Sequence, residues 1–142
     1  MQYAKCRMQN AECRMQNAEC RMRTAMNENT VVEKSLDFAV RVVNLRKYLA
    51  KEHNEYVMSK QLLRCGTSIG ANIAEAQRAQ SRADFAAKMN IALKEANETE
   101  YWLKLLYRTQ YLSKEQYESI NIDVQELLGI LVSICRTSNA KK

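Results

Sequence analysis

SKQLLRCGTSIGANIAEA, residues 59–76, holds ten consecutive positions, Cys65 through Ala74, without a charge, in a chain whose charged fraction is 27%. Such a segment reads as one helix with little face to offer water. In a small all-helical protein, apolarity all round marks burial on more than one side. The segment is therefore expected to pack inside a bundle and also against another subunit. Leu62, Ile69 and Ile73 form its core stripe. Gly66, Gly70 and Ala74, spaced by four, let a neighbouring backbone approach closely, at a cost of about 1 kcal/mol of helix propensity per glycine. Thr67 and Ala71 point more than a quarter turn away from the core stripe. Together with Ala74 they are the candidates for an oligomer interface.

The surrounding chain asks for helices too. Its 142 residues suit one domain, or one domain plus an extension. With no proline and only three glycines, in a composition rich in Ala, Leu, Glu, Lys, Arg and Gln, helix is favoured nearly everywhere and strand-type alternation is absent. A capping box of Thr30 and Glu33 is expected to open a first helix, whose apolar residues Leu36, Val40, Val43 and Phe38, Val42, Leu45, Leu49 make a wide stripe to about Lys51. The linker EHNEY follows, and Ser59 is the expected N-cap of the second helix, which runs to about Ala79. Ser81 with Asp84 caps a third, in which Phe85, Met89, Ala92, Ala96, Thr99, Leu103 and Leu106 keep a 3-4 spacing. Ser113 with Gln116 opens a fourth, carrying Ile120, Val124, Leu127, Leu131 and Ile134. Short connections between long amphipathic helices make neighbours antiparallel, so the expected fold is all-α, an up-down-up-down four-helix bundle over residues 29–137. Residues 138–142 form a basic C-terminal tail.

Residues 2–22 are three near-identical sevens, QYAKCRM, QNAECRM and QNAECRM. Met1, Ala4, Met8, Ala11, Met15, Ala18, Met22 and Ala25 alternate in steps of three and four, an a/d seam with Glu12 and Glu19 at e and Arg14 and Arg21 at g. Alanine at every d position makes that seam thin. Residues 1–28 are thus either a helical, coiled-coil extension or a disordered tail. Cys6, Cys13 and Cys20 fall on the outer face, about 10 Å apart along a helix, too far for disulfides within it.

The five cysteines include no CxxC pair, and a single histidine, His53, leaves no metal-ligand cluster. An odd cysteine count with no signal-peptide pattern reads as reduced thiols and a cytoplasmic protein. No run approaches the roughly 18 apolar residues of a membrane span, so no membrane partner is expected. The net charge of +6 suits an acidic partner but also ordinary solubility.

SKQLLRCGTSIGANIAEAQ followed by DFAAKMNIALKEANETEYWLKLL resembles a bacterial four-helix-bundle family, first noted as reading frames inside intervening sequences of 23S ribosomal RNA genes. The resemblance spans about residues 29–135. It is carried by Arg64, Ser68, Ile69, Asn72, Ile73, Ala74, Glu75, Ser81, Phe85, Ala92, Glu98, Tyr111 and Leu112. Ala76 stands where many members have glycine, and Cys65 where serine is frequent. The resemblance implies a homopentamer and no established enzymatic activity. It also brings in a similar fold, the accessory protein of diversity-generating retroelements, a basic pentamer that binds a reverse transcriptase and nucleic acid. The N-terminal sevens match neither pattern.

Catalysis is not expected. A di-iron bundle needs glutamates and Glu-x-x-His motifs that one histidine cannot supply, hydrolytic triads would need that same histidine, and GTSIG lacks the glycines and lysine of a phosphate loop. No catalytic residue, metal or cofactor is assigned. The acidic residues Glu75, Glu95, Glu98 and Glu100 read as helix-surface pairing, Lys94 with Glu98 and Glu100 with Lys104. Two functions stand. One is non-enzymatic binding of RNA or DNA, without strong sequence preference, through Lys60, Arg64, Arg78, Arg82 and Lys88 repeated around an oligomer. Trp102 and the tyrosines at 101, 107 and 111 are either base-stacking platforms or core and interface residues. The other function is a protein-interaction scaffold or accessory factor, for example for a reverse transcriptase, in which charge serves solubility.

Overall fold

The computed structural model describes the backbone of residues 10–140 and the side chains of residues 30–139. Met1, Ala4 and Met8 of the expected seam, Cys6 of its outer face, and Lys141 and Lys142 of the tail lie outside the described residues. Among the described residues, the regular structure is all helix: α1 (Asn10–His53), α2 (Val57–Ala76), α3 (Arg82–Arg108) and α4 (Lys114–Ala140). The chain divides into two units, Met1–Val31 and Val32–Lys142. The four-helix bundle belongs to the second.

Thr30 does not open a helix as its capping box suggested, because α1 already runs from Asn10 and carries Thr30 in its interior. The Ala, Met, Gln, Glu and Arg of the upstream sevens are all good helix formers, so nothing there stops the helix at a threonine. The expected cap of the second helix also moves. Ser59 lies inside α2 and is buried. The capping group is Glu55, whose carboxylate accepts from the backbone N–H groups of Val57, Met58 and Ser59 at 3.1, 3.0 and 2.7 Å. Three of the four orphan donors of the helix start are thereby satisfied. The Ser59 hydroxyl donates back to the Glu55 carbonyl at 2.9 Å.

The other two caps stand as read. Ser81 Oγ accepts from the Asp84 N–H at 3.0 Å, and the Asp84 carboxylate accepts from the Gln80 N–H at 3.1 Å. At α4 the box is reciprocal: Ser113 Oγ accepts from the Gln116 N–H at 3.1 Å, and Gln116 Oε1 from the Ser113 N–H at 2.8 Å. The α3–α4 turn closes without glycine, with Gln110 at φ 70° and the Tyr111 N–H donating to the Leu106 carbonyl at 2.9 Å. That bond pattern is the helix-ending one usually built on glycine.

Each helix buries residues of its predicted stripe: Phe38, Val42 and Leu49 from α1, Leu62, Ile69 and Ile73 from α2, Met89, Leu103 and Leu106 from α3, and Val124, Leu127 and Leu131 from α4, while Val43, Leu45, Phe85 and Ile134 are half-buried. Burial of each large side chain contributes about 1.5–3 kcal/mol before chain entropy is counted. The α1 stripe is narrower than expected. Leu36 and Val40 are 58% and 53% exposed. Neighbouring helices meet at defined levels: Ser35 and Val42 of α1 lie against Gly70 and Gly66 of α2, and Arg41 of α1 against Ser119 and Asp123 of α4. Lys34 pairs with Glu126. The α2 and α3 helices pack together, as do α3 and α4.

Candidate functional site

The predicted nucleic-acid residues differ in what they touch. Arg78 and Arg82 flank the α2–α3 turn, exposed and outside every ion pair among the described residues. Lys60 is likewise exposed, but it stands near the start of α2, roughly 27 Å from Arg78 at 1.5 Å per residue. Arg64 and Lys88 are engaged by carboxylates. Arg64 bridges from α2 to α3, pairing with Glu98 and reaching Glu95 at 3.5 Å. Trp102 Nε1 donates to the same Glu98 carboxylate at 3.1 Å. Lys88 Nζ reaches Glu75 Oε1 at 2.8 Å.

These contacts set the electrostatics. The hydrogen bond to Glu98 raises the Arg64 pKa above its ordinary value, and the hydrogen bond to Glu75 does the same for Lys88. Glu98 is held below the usual carboxylate range by the Arg64 guanidinium first and the Trp102 N–H second. The acidic residues thus do pair on helix surfaces, but across helices rather than along one: Glu98 with Arg64 rather than Lys94, and Glu100 with Gln125 rather than Lys104. Spacing along a helix shows only partners i±4. Which residue a neighbouring helix presents depends on packing.

Charge follows the same division. Residues 30–139 contain 15 Lys and Arg against 13 Asp and Glu, a net +2, so most of the chain's +6 sits in the terminal segments.

The predicted interface residues share the outer side of α2. Ala71 and Ala74 are exposed and Thr67 is half-buried, its hydroxyl turned to the Leu63 carbonyl at 2.7 Å. On α1, Leu36 and Val40 are exposed as well. Both belong to the expected core stripe of the first helix. The separating signal was present, since Ser35, Val42 and Leu49 keep a seven-residue spacing that leaves Leu36 about 100° away. Arg46 of α1 adds a different sign: its Nε is buried and finds no acceptor among the described residues. A buried, unpaired donor costs about 1–3 kcal/mol or more for a charged group. Nothing in the sequence marks it.

Among the described residues, no group of three or more His, Cys, Asp or Glu is arranged to hold a metal ion. His53 lies edge-on between Tyr48 and Tyr111, with ring centroids at 5.4 and 5.7 Å. Cys65 and Cys135 are free and buried, and burial pushes both thiols up. A shallow groove of about 470 Å³ between α1 and α4 is lined by Arg41, Asn44, Leu45, Gln116, Ser119 and Ile120. Its arginine is already held by the Ser119 carbonyl and hydroxyl and by Asp123, at 3.1, 2.9 and 2.7 Å. No described helix is long and apolar enough to cross a membrane.

Residues 27–133 match the model of the family described as 23S rRNA-intervening sequence protein. The chain belongs to that family. A crystal structure at 1.70 Å of a Bacteroides thetaiotaomicron VPI-5482 protein, of unknown function and from the S23 ribosomal protein family, is similar at 65% identity. The match covers 78% of this chain and 98% of that one, with a TM-score of 0.76. No functionally curated protein matches the chain. The region shared with the family holds the α2 strips and the Arg64–Glu98–Trp102 cluster. The N-terminal sevens fall outside it.

Proposed function

We propose that this protein works in the cytoplasm by binding rather than by catalysis, as a homo-oligomer of up-down-up-down bundles that presents repeated cations to nucleic acid. The carrying observation is apolar surface left exposed on two helices that pack together, Leu36 and Val40 on α1 and Ala71 and Ala74 on α2. Water is a poor partner for that surface, and a second copy covers it. The pairings of Ser35 with Gly70, Val42 with Gly66 and Arg41 with Asp123 support the antiparallel order. The homopentamer implied by the family resemblance is the assembly we favour.

Oligomerisation multiplies what one chain does weakly. Exposed Arg78 and Arg82, repeated around a ring, provide phosphate contacts whose counterion release makes affinity fall steeply with salt. Arg64 and Lys88 contribute less, being neutralised by Glu98 and Glu75. Light scattering at micromolar concentration is expected to give several times the 16.4 kDa chain mass. A monomer would overturn the assembly. Gel shifts at low and moderate salt are expected to show binding at low salt that Arg78→Ala/Arg82→Ala weakens about equally for RNA and DNA. No shift at low salt with the oligomer intact leaves the second reading, a protein-interaction scaffold, which the bundle's small net charge favours.

A further inference from the structure

Five of the seven tyrosines, Tyr48, Tyr56, Tyr107, Tyr111 and Tyr117, collect at the end of the bundle where the α1–α2 and α3–α4 connections lie. The His53–Tyr111 ring contact ties the two connections together. Tyr107 and Tyr117 stack face to face, with centroids 4.5 Å apart and planes 5° from parallel. Tyr48, Tyr107, Tyr111 and Tyr117 are half-buried, and Tyr56, just before α2, is 52% exposed. Among the described residues, the far end, at the α2–α3 turn, has no tyrosine. Rings needed only for the core would be buried with it; here part of their apolar surface meets water.

Cations lie at the same helix ends. Lys51, Lys60, Arg108 and Lys114 are exposed and take part in none of the described ion pairs. The exposed carboxylates of this end are Glu52, Glu115 and Glu118. The fourth, Glu55, is turned inward to cap α2 and is removed from the surface field. Aromatic faces beside unpaired cations match a polyanion whose bases are free to stack, and every base has a stacking face. A duplex hides those faces between its own base pairs.

We infer that this end of the bundle binds single-stranded nucleic acid, its tyrosines stacking on bases and its cations tracking the phosphates. The inference rests on the nucleic-acid reading above and adds a second site, away from Arg78 and Arg82. The test measures fluorescence anisotropy of a labelled oligothymidine and of a duplex of equal length, with the intact oligomer. Tyr56→Ala is expected to weaken single-strand binding about tenfold while leaving the salt slope and the duplex affinity unchanged. Tyr56→Trp retains wild-type affinity, and Lys51→Ala/Lys114→Ala lowers the salt slope. Single-strand binding that all these variants leave intact, with loss on Arg78→Ala/Arg82→Ala, overturns this inference and keeps the nucleic-acid reading. Equal losses on single strand and duplex overturn stacking. No binding by the wild type at low salt sinks both.

Discussion

A methyl group at position 66 meets Val42: a Cβ there comes within 2.9 Å of both Val42 methyl carbons, whereas one at Gly129 meets nothing within 4 Å. Val42 is fully buried and β-branched, so it cannot swing aside easily. Overpacking costs about 1–3 kcal/mol and outweighs the roughly 1 kcal/mol gained in helix propensity. Gly66→Ala is therefore expected to lower the urea midpoint, and Gly129→Ala to raise stability by about 0.5–1 kcal/mol. Adding Val42→Ala to Gly66→Ala should recover part of the loss; no recovery would place the strain elsewhere. Glu98 makes a prediction in acid. Its folded pKa lies below the unfolded value, so its stabilising contribution is complete above the ordinary carboxylate range and is lost as pH falls through the folded value. Glu98→Gln should flatten that acid-side loss, by a small amount because the pair is half-exposed and screened. Unchanged pH dependence would mean Arg64 does not hold Glu98 in solution. The close-packing role of Gly66 was legible from its spacing with Gly70. The Arg64–Glu98 partnership was not, because it joins residues 34 apart.

At the scale of the element, α2 presents a different partner on each side: Leu62, Ile69 and Ile73 to the core, Gly66 and Gly70 to α1, Arg64 and Glu75 to residues of α3, and Ala71 and Ala74 to the outside. The outward pair makes the assembly testable. Ala71→Glu is expected to reduce the light-scattering mass toward that of one chain while helix content by circular dichroism stays high. Unfolding instead would assign that face to the intramolecular core. The caps show what local chemistry reveals. Ser81 and Ser113 each stand three residues before an acid or amide at a helix start, and both were readable. Glu55 was not, because its long side chain reaches forward over non-helical backbone to cap a helix it does not belong to. Thr30 had the right box in the wrong setting, since the helix preceding it never ends.

For the whole molecule, the decisive quantities are surface and charge. Apolar Leu36 and Val40 on the outside, a net charge of only +2 over residues 30–139, and an end lined by tyrosines make the assembled form, more than the single chain, the functional unit we propose. Composition, helical periodicity and two capping boxes were enough for the sequence alone to determine an all-helical chain with four helices and their core stripes, because those signals act within a few residues. The uncharged middle of α2 likewise announced close contact on more than one side. Only the tertiary structure decided which apolar residues of α1 stay in water, which cations are already neutralised, and which five tyrosines share one end. Each of these depends on what a neighbouring helix brings within a few ångströms, and that distance is not written in the spacing of any one segment.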